Sequence, residues 1–251
     1  MLTVAAHGRV AVERPSLFIG GGTRGTVTEA PVSRAWPLIN RVAMNSPSDP
    51  FAKAQRHLSR RDPVLRTVIK AVGPCTLRPV ADFFIVLARA INSQQISTRA
   101  AAAIFGRLQA LSPDGLTPAA VLAATDEQLR GAGLSRSKVL SLRDLAAHVQ
   151  SGALPLHDLP RLSDEEVVAL LVPVRGIGVW TAQMFLIFSL GRLDVLPVDD
   201  LGLRAGVRDT YGLPDLPNRA ALVERAEPWR PYRSVATWYL WRSRGFVPQS
   251  G

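Results

Sequence analysis

Leu170-Leu-Val-Pro-Val-Arg-Gly-Ile-Gly-Val-Trp-Thr-Ala182 is the most informative segment of this sequence. It indicates two helices that meet at a tight turn made of Gly176, Ile177 and Gly178. Glycine suits such a turn because it tolerates positive φ angles and lets another molecule approach the backbone. We expect Ile177 to point inward and fix the turn. The amides at the start of the second helix then face outward, where the helix dipole favours an anion such as phosphate.

The Gly-Ile-Gly turn by itself has two interpretations. It is compatible with an ordinary hairpin of two helices, and equally with a hairpin that grips the DNA backbone without reading the bases. The sequence around the hairpin, on both sides, is needed to separate the two.

The rest of the chain, from Pro50 onward, has a helical pattern. Polar caps mark several helix starts, including Thr117, Thr125, Asn218 and the capping box at residues 163–166. We predict an all-α fold of about ten short helices and find no alternating strand pattern of useful length. The predicted helices include 82–92, 98–108, 137–149, 167–174, 179–190, 201–209, 219–227 and 234–244. Because the helix at 179–190 is apolar all round, we expect it to be buried on most faces.

The first 48 residues differ from this pattern. They contain three consecutive glycines at positions 20–22, scattered Pro and Ser, and no sustained period. We therefore expect residues 1–48 to be a poorly ordered extension and residues 49–251 to form the helical domain. Met44 is an alternative start site.

Composition limits the function classes. The formal net charge of +10 indicates a polyanionic partner, most simply nucleic acid. Only three of the 30 basic Lys and Arg residues are lysines, a bias that a GC-rich genome also produces. The single cysteine, Cys75, excludes an intrachain disulfide and any multi-cysteine metal site. No apolar run reaches the roughly 18–20 residues that span a bilayer, and no signal-peptide core is present, so we expect an intracellular protein without a membrane partner.

Five separated segments carry a family resemblance that covers roughly residues 60–248. Each is weak alone, but all five occur in the order that the family has. The segments are Ala90-Ile-Asn-Ser-Gln-Gln-Ile-Ser97, Gly133-Leu-Ser-Arg-Ser-Lys138, Arg175-Gly-Ile-Gly-Val-Trp-Thr-Ala182, Asp194-Val-Leu-Pro-Val-Asp-Asp-Leu201 and Pro228-Trp-Arg-Pro-Tyr-Arg-Ser234. The chain resembles the HhH-GPD DNA glycosylases, and within them the alkylpurine branch, the 3-methyladenine DNA glycosylase II family. The resemblance implies a two-lobed helical fold with a helix-hairpin-helix motif and a base pocket between the lobes.

The resemblance implies that Asp200 is the catalytic carboxylate, with Asp199 as the second candidate. Without the resemblance, the Asp199-Asp200 pair would most often be a helix cap, and the two roles are compatible. A buried anion stabilises the oxocarbenium-like sugar that forms when the bond between sugar and base breaks, and it can position the attacking water. The nucleotide has to be flipped out first, because a stacked base is out of reach.

Two absences narrow the activity. Relatives with lyase activity carry a lysine two residues after the second hairpin glycine, and Trp180 occupies that position here, so we expect no lyase activity. Relatives with an iron–sulfur cluster need four cysteines, which this chain lacks. We expect no required cofactor and no divalent-metal site, since the histidines lack ligand spacing.

The resemblance also assigns substrate and DNA contacts. Trp180 and Trp241 match pocket positions, where aromatic faces attract a cationic base, although core packing is the alternative for each tryptophan. Met184 occupies a pocket position at which relatives can carry an aromatic residue, and this departure bears on the substrate range. Gln94, Gln95 and Ile96, here called the wedge segment, match the segment from which the family inserts a side chain into the vacated base stack. Gln95 is the first candidate for that side chain and Ile96 the second; a buried helix start is the alternative there. Further DNA contacts are expected from Arg175, Gly176, Ile177, Gly178, Arg136 and Lys138, and Arg233 is a further phosphate candidate, although any single arginine or lysine often only covers a solvated face. In the family, hairpin carbonyls also hold a monovalent cation.

The sequence therefore predicts a monomeric, monofunctional DNA N-glycosylase that excises alkylated purines of the 3-methyladenine type from double-stranded DNA. Two alternatives stay open: a glycosylase for another lesion, such as hypoxanthine or ethenoadenine, and a non-catalytic helix-hairpin-helix DNA-binding protein. We expect a cytoplasmic, nucleoid-associated location if the source is bacterial and a nuclear one if it is eukaryotic.

Overall fold

The computed structural model of this protein describes residues 49–245. The expected N-terminal extension, residues 1–48, lies outside these residues. Within them the chain forms twelve α-helices, two short 3-10 turns and no strand, which confirms the all-α prediction. The helices are α1 (Pro50–Arg61), α2 (Pro63–Val72), α3 (Phe83–Ser93), α4 (Thr98–Gln109), α5 (Pro118–Ala123), α6 (Asp126–Gly131), α7 (Arg136–Gln150), α8 (Asp164–Leu171), α9 (Val179–Phe188), α10 (Leu201–Tyr211), α11 (Arg219–Ala226) and α12 (Arg233–Ser243). The 3-10 turns are Leu159–Arg161 and Glu227–Trp229.

The helices begin where the polar caps predict. Thr125 and Ser163 each form a complete capping box, with Gln128 and Glu166 as the reciprocal partners. The sequence pattern predicted no boundary between α1 and α2. Asp62 separates them, because its carboxylate accepts hydrogen bonds from the first amides of α2.

The helices pack as two groups, in agreement with the two-lobed prediction. One group combines the two ends of the described chain: α1, α2, α10 and α12 pack on one another, and α11 is attached through the second 3-10 turn. The other is built around α3 and α7, which carry α4, α5 and α6, while α9 packs on α3 and α8 packs on α9. The chain passes from the second group to the first between α9 and α10. The start of α10 therefore lies at the junction.

Helix α9 is buried on most faces, as expected, except at its start. Its middle is buried, but its first two residues, Val179 and Trp180, are exposed, Trp180 by 48%. The hairpin turns Val179 and Trp180 outward, and no neighbouring helix covers them, although the apolar composition had suggested that they are buried. Within residues 49–245, no helix is both long enough and apolar enough to cross a membrane.

Candidate active site and DNA-binding surface

The carboxylate of Asp200 is held by three N–H groups at the start of α10. Its Oδ1 atom accepts hydrogen bonds from the Leu203 backbone amide at 2.5 Å and from Trp241 Nε1 at 2.8 Å. Its Oδ2 atom accepts one from Trp180 Nε1 at 2.8 Å. The side chain is only 8% exposed. All three donors are neutral and orient the carboxylate, and among residues 49–245 no side-chain ion pair balances its negative charge.

The neighbouring Asp199 has a different environment. Its Oδ2 lies 2.6 Å from Arg219 Nη2, and both side chains are exposed. An ion pair of this kind balances the negative charge, whereas the donors around Asp200 do not. The two aspartates are therefore distinct, although they are adjacent in the chain.

Aromatic side chains from α9 and α12 surround the Asp200 carboxylate. Trp241 is 2% exposed and stacks on Phe188, with ring centroids 5.8 Å apart and planes inclined by 20°. Trp180, Met184 and Phe188 are spaced four residues apart and share one face of α9. Met184 is half-buried and packs against the core. Of the predicted pocket residues, Trp180 and Trp241 contact Asp200 directly, and Met184 lies one turn further along α9 from Trp180.

The hairpin between α8 and α9 has the predicted form with one difference. Gly176 has a φ of 83°, and a Cβ there would lie 2.8 Å from Ser141 Oγ on α7, so glycine is required. Ile177 is buried, as expected. Gly178 is extended, with a φ of −97°, and a Cβ there would meet open space, so its backbone does not require glycine. The first amides of α9 have no intrahelical acceptor and lie on an exposed turn, which suits an anion.

The predicted wedge segment follows α3 and is exposed. Gln95 is the one non-glycine residue with positive φ in the described part of the chain, at 58°. Such a conformation is uncommon for a side-chain-bearing residue and is found most often at functional sites. Gln94 donates a hydrogen bond from Nε2 to the Gly176 carbonyl at 2.8 Å, which ties this segment to the hairpin. Ile96 is exposed next to them, so the segment is not a buried helix start.

The basic side chains predicted to bind phosphate differ in their availability. Arg136 and Arg175 are exposed beside the hairpin and the start of α7. Lys138 Nζ donates to the Asn92 carbonyl at 2.6 Å, at the end of α3, and burial lowers the pKa of its ammonium group. Arg233 forms a two-point ion pair with Asp194, at 2.8 and 2.9 Å. Lys138 and Arg233 thus make contacts within the protein, and a phosphate contact by either stays a prediction.

Comparison with known proteins agrees with this geometry. The family model described as "HhH-GPD superfamily base excision DNA repair protein" matches residues 88–231. DNA-3-methyladenine glycosylase 1 of Schizosaccharomyces pombe is 38% identical over 199 residues, which cover 77% of this chain and 87% of that protein. The match to the family model extends over more than half of the chain and includes the wedge segment, the hairpin and both aspartates.

The chain belongs to the HhH-GPD superfamily of base excision DNA repair proteins.

Solved structures of family members share the fold. The structure of the S. pombe 3-methyladenine DNA glycosylase in complex with abasic DNA superposes with a TM-score of 0.68 at 37% identity, covering 78% of this chain and 98% of that one. A DNA-3-methyladenine glycosidase from Bacillus halodurans gives a TM-score of 0.71 at 37% identity, covering 80% and 92%. These likenesses agree with the fold and the branch of the family that the five sequence segments indicated.

Three residues that contact the site residues were not among the predicted site residues. Phe188 supports Trp241, and its spacing of eight residues from Trp180 was a signal that could have placed it on the same face of α9. Gly202 lies against both Asp200 and Trp241. Arg219 pairs with Asp199 across 20 residues of sequence, and no local pattern indicates that contact.

Proposed function

We propose that this protein is a monofunctional DNA N-glycosylase that flips alkylated purines of the 3-methyladenine type out of duplex DNA and excises them. The observation that carries the proposal is the carboxylate of Asp200, which is buried and held by Trp180 and Trp241 directly downstream of the DNA-binding hairpin. A bare DNA-binding hairpin needs neither the carboxylate nor the tryptophans. The names of the relatives support the same chemistry.

The charge on Asp200 fits the reaction. As the bond between sugar and base breaks, positive charge develops on the sugar, and a fixed anion nearby lowers the energy of that state. Neutral indole N–H donors hold the carboxylate in place, so its charge is free to act on the sugar instead of being balanced by a side-chain cation. Asp199 lacks this property because Arg219 balances its charge. Asp200 is also suited to position the attacking water.

The substrate class follows from the leaving group. An alkylated purine such as 3-methyladenine is already cationic and leaves with little help from a general acid. The exposed aromatic surface of Trp180 suits a flat cation, through stacking and cation–π attraction, whereas Trp241 is buried and stacked on Phe188. The half-exposed indole of Trp180 is accessible to an incoming base.

The DNA contacts follow from the hairpin and the wedge segment. The exposed amides at the start of α9 bind a backbone phosphate, and the exposed Arg175 in the hairpin and Arg136 at the start of α7 are further phosphate ligands. Gln95 fills the space left by the flipped nucleotide, and Gln94 fixes its position relative to the hairpin through the Gly176 carbonyl. The hairpin carbonyls would hold the monovalent cation that the family resemblance implies. We also propose that the protein acts on duplex DNA as a monomer.

The test compares wild type with Asp200→Asn on methylated duplex DNA, followed by alkaline cleavage at abasic sites. Asparagine keeps the shape and removes the charge, so we expect base release to fall by at least about 100-fold, the scale of losing a key electrostatic contact. Binding to DNA that contains an abasic-site analogue should persist in both proteins. If both proteins bind DNA and neither releases a base, the non-catalytic DNA-binding function replaces this proposal, unless hypoxanthine or ethenoadenine DNA is cleaved in the same assay.

We further propose that the protein has no lyase activity. Schiff-base chemistry needs an amine at the sugar, and the lysine position of lyases is occupied by Trp180. The chain has only three lysines: Lys53 and Lys70 lie on α1 and α2, and Lys138 is bound to the Asn92 carbonyl. Strand breaks should appear only after alkali, and borohydride should trap no covalent complex with DNA. A borohydride-trapped complex formed by wild type would contradict the absence of lyase activity without affecting the glycosylase proposal.

A further inference from the structure

Gly202 lies against the candidate catalytic carboxylate. It is the second residue of α10, two positions after Asp200. A Cβ at this position would lie 3.1 Å from Asp200 Oδ1 and 3.3 Å from both Cδ1 and Nε1 of Trp241. These separations are shorter than ordinary van der Waals contact for carbon, so a methyl group would have to displace the carboxylate or the indole.

A glycine at this position is not explained by helix formation. Glycine is a poorer helix former than alanine, and nothing at Gly202 requires a positive φ. The missing side chain permits the close approach of the Trp241 indole to Oδ1. Trp241 is also 2% exposed and stacked on Phe188, so the indole has little freedom to retreat from an added methyl group.

We infer that Gly202 is a positioning residue for the reaction: its missing side chain allows Trp241 to hydrogen-bond Asp200 and so fixes the direction of the carboxylate. This inference rests on the proposed function of Asp200. Gly202 has no side chain that could act on the substrate. Its effect on catalysis is indirect and passes through Trp241. Glycine at this position therefore lowers helix stability but permits the observed geometry of the carboxylate.

The first experiment compares Gly202→Ala with Gly106→Ala. Gly106 lies within α4, and a Cβ there would meet nothing within 4 Å, so Gly106→Ala reports the helix-forming benefit of alanine alone. The readouts are the single-turnover rate of 3-methyladenine release at saturating protein, the affinity for DNA with an abasic-site analogue, and Tm. We expect Gly202→Ala to slow release by about 10-fold, a loss in scale with a displacement of a few tenths of an ångström. Affinity and Tm should stay near the wild-type values, and Gly106→Ala should leave the release rate unchanged.

A double-mutant cycle tests whether the effect passes through Trp241. Trp241→Phe removes the indole N–H and makes room beside Gly202. If Gly202 acts through that hydrogen bond, Gly202→Ala should cause no further loss of rate in the Trp241→Phe protein. Equal, additive losses in the two backgrounds would show that Gly202 does not position Trp241 and would overturn the inference.

The two proposals fail in different ways. If wild type releases no base from any of the tested lesions, the glycosylase proposal fails. If wild type and Gly202→Ala release the base at the same rate, the glycosylase proposal stands and the inference about Gly202 is wrong. A loss in Tm that accounts for the lower rate of Gly202→Ala would also overturn it, because the residue would then be structural.

Discussion

Asp199 and Asp200 show how two identical neighbouring side chains acquire different roles. The carboxylate of Asp200 turns into the protein, where it caps α10 and meets two indole N–H groups. The carboxylate of Asp199 turns outward and meets the guanidinium of Arg219. A carboxylate that has to stabilise a cation in its substrate is most effective when a protein cation does not already balance it.

We predict that Asp199→Asn has little effect on the rate of base release or on stability. The Asp199–Arg219 pair is exposed, and exposed ion pairs contribute on the order of 0–1 kcal/mol to stability. Single-turnover base release should stay within about threefold of wild type, far from the loss of at least about 100-fold expected for Asp200→Asn. The two variants should be assayed side by side on the same methylated duplex. Reversed losses would identify Asp199 as the catalytic carboxylate.

Helices from distant parts of the chain meet at a second buried carboxylate, Asp62. Its Oδ1 caps α2 by accepting from the amides of Val64 and Leu65, both at 3.0 Å. Its Oδ2 accepts from Trp229 Nε1 at 2.9 Å and from the hydroxyl of Tyr211. One side chain thus joins the start of α2, the end of α10 and the 3-10 turn at Glu227–Trp229. Trp229 is fully buried, and its role here is structural.

We predict that Asp62→Asn destabilises the protein by about 2 kcal/mol, because its amide group can satisfy the helix cap but not accept from both Trp229 and Tyr211. Buried donors without an acceptor are costly; Trp229 is fully buried, and Tyr211 is partly buried against the core. Asp49→Asn is the matched control: Asp49 caps α1 by one bond to the Phe51 amide, and asparagine caps helices equally well. Chemical denaturation of both variants measures the difference. Equal stabilities for Asp62→Asn and Asp49→Asn would show that the Oδ2 contacts contribute nothing.

The molecule as a whole buries several groups that ionise at high pH. Burial raises the pKa of the Cys75 thiol to about 12, from an ordinary value of 9.0. Burial also raises the pKa of Tyr239, and that of Tyr211 is raised by burial and by its hydrogen bond to Asp62. The folded protein therefore keeps these protons at a pH at which the unfolded chain releases them.

We predict that the free energy of unfolding falls as the pH rises above about 9, the ordinary pKa of the thiol. The unfolded chain then binds fewer protons than the folded protein, so each further rise in pH favours unfolding. The stabilisation is fully present below pH 9. It is lost progressively as the pH rises from there past the ordinary tyrosine pKa of 10.0. Guanidinium denaturation at pH 8 and pH 10.5 measures the loss, and Cys75→Ala should reduce its size. Equal stability at the two pH values would contradict the prediction.

Local signals in the sequence determined most of the fold. Helix starts depend on hydrogen bonds between residues three apart, so caps such as Thr125 and Ser163 were visible in the sequence. The hairpin was visible for the same reason, since Gly176 has a backbone conformation that favours glycine. The five segments of the family resemblance placed Asp200, Trp180 and the wedge segment in the right order along the chain.

The contacts that these residues make depend on helix packing, which the local sequence does not specify. Trp241 meets Asp200 across 41 residues of sequence, and Arg219 meets Asp199 across 20, so the distinction between the two aspartates depends on how α9, α10 and α12 pack. Lys138 and Arg233 have the charge of phosphate ligands, yet each is bound to a distant carbonyl or carboxylate of the protein. The sequence specifies which groups are present, but hydrogen-bond partners far apart in the chain are chosen by packing, because such bonds form only between groups that the folded core brings within about 3 Å.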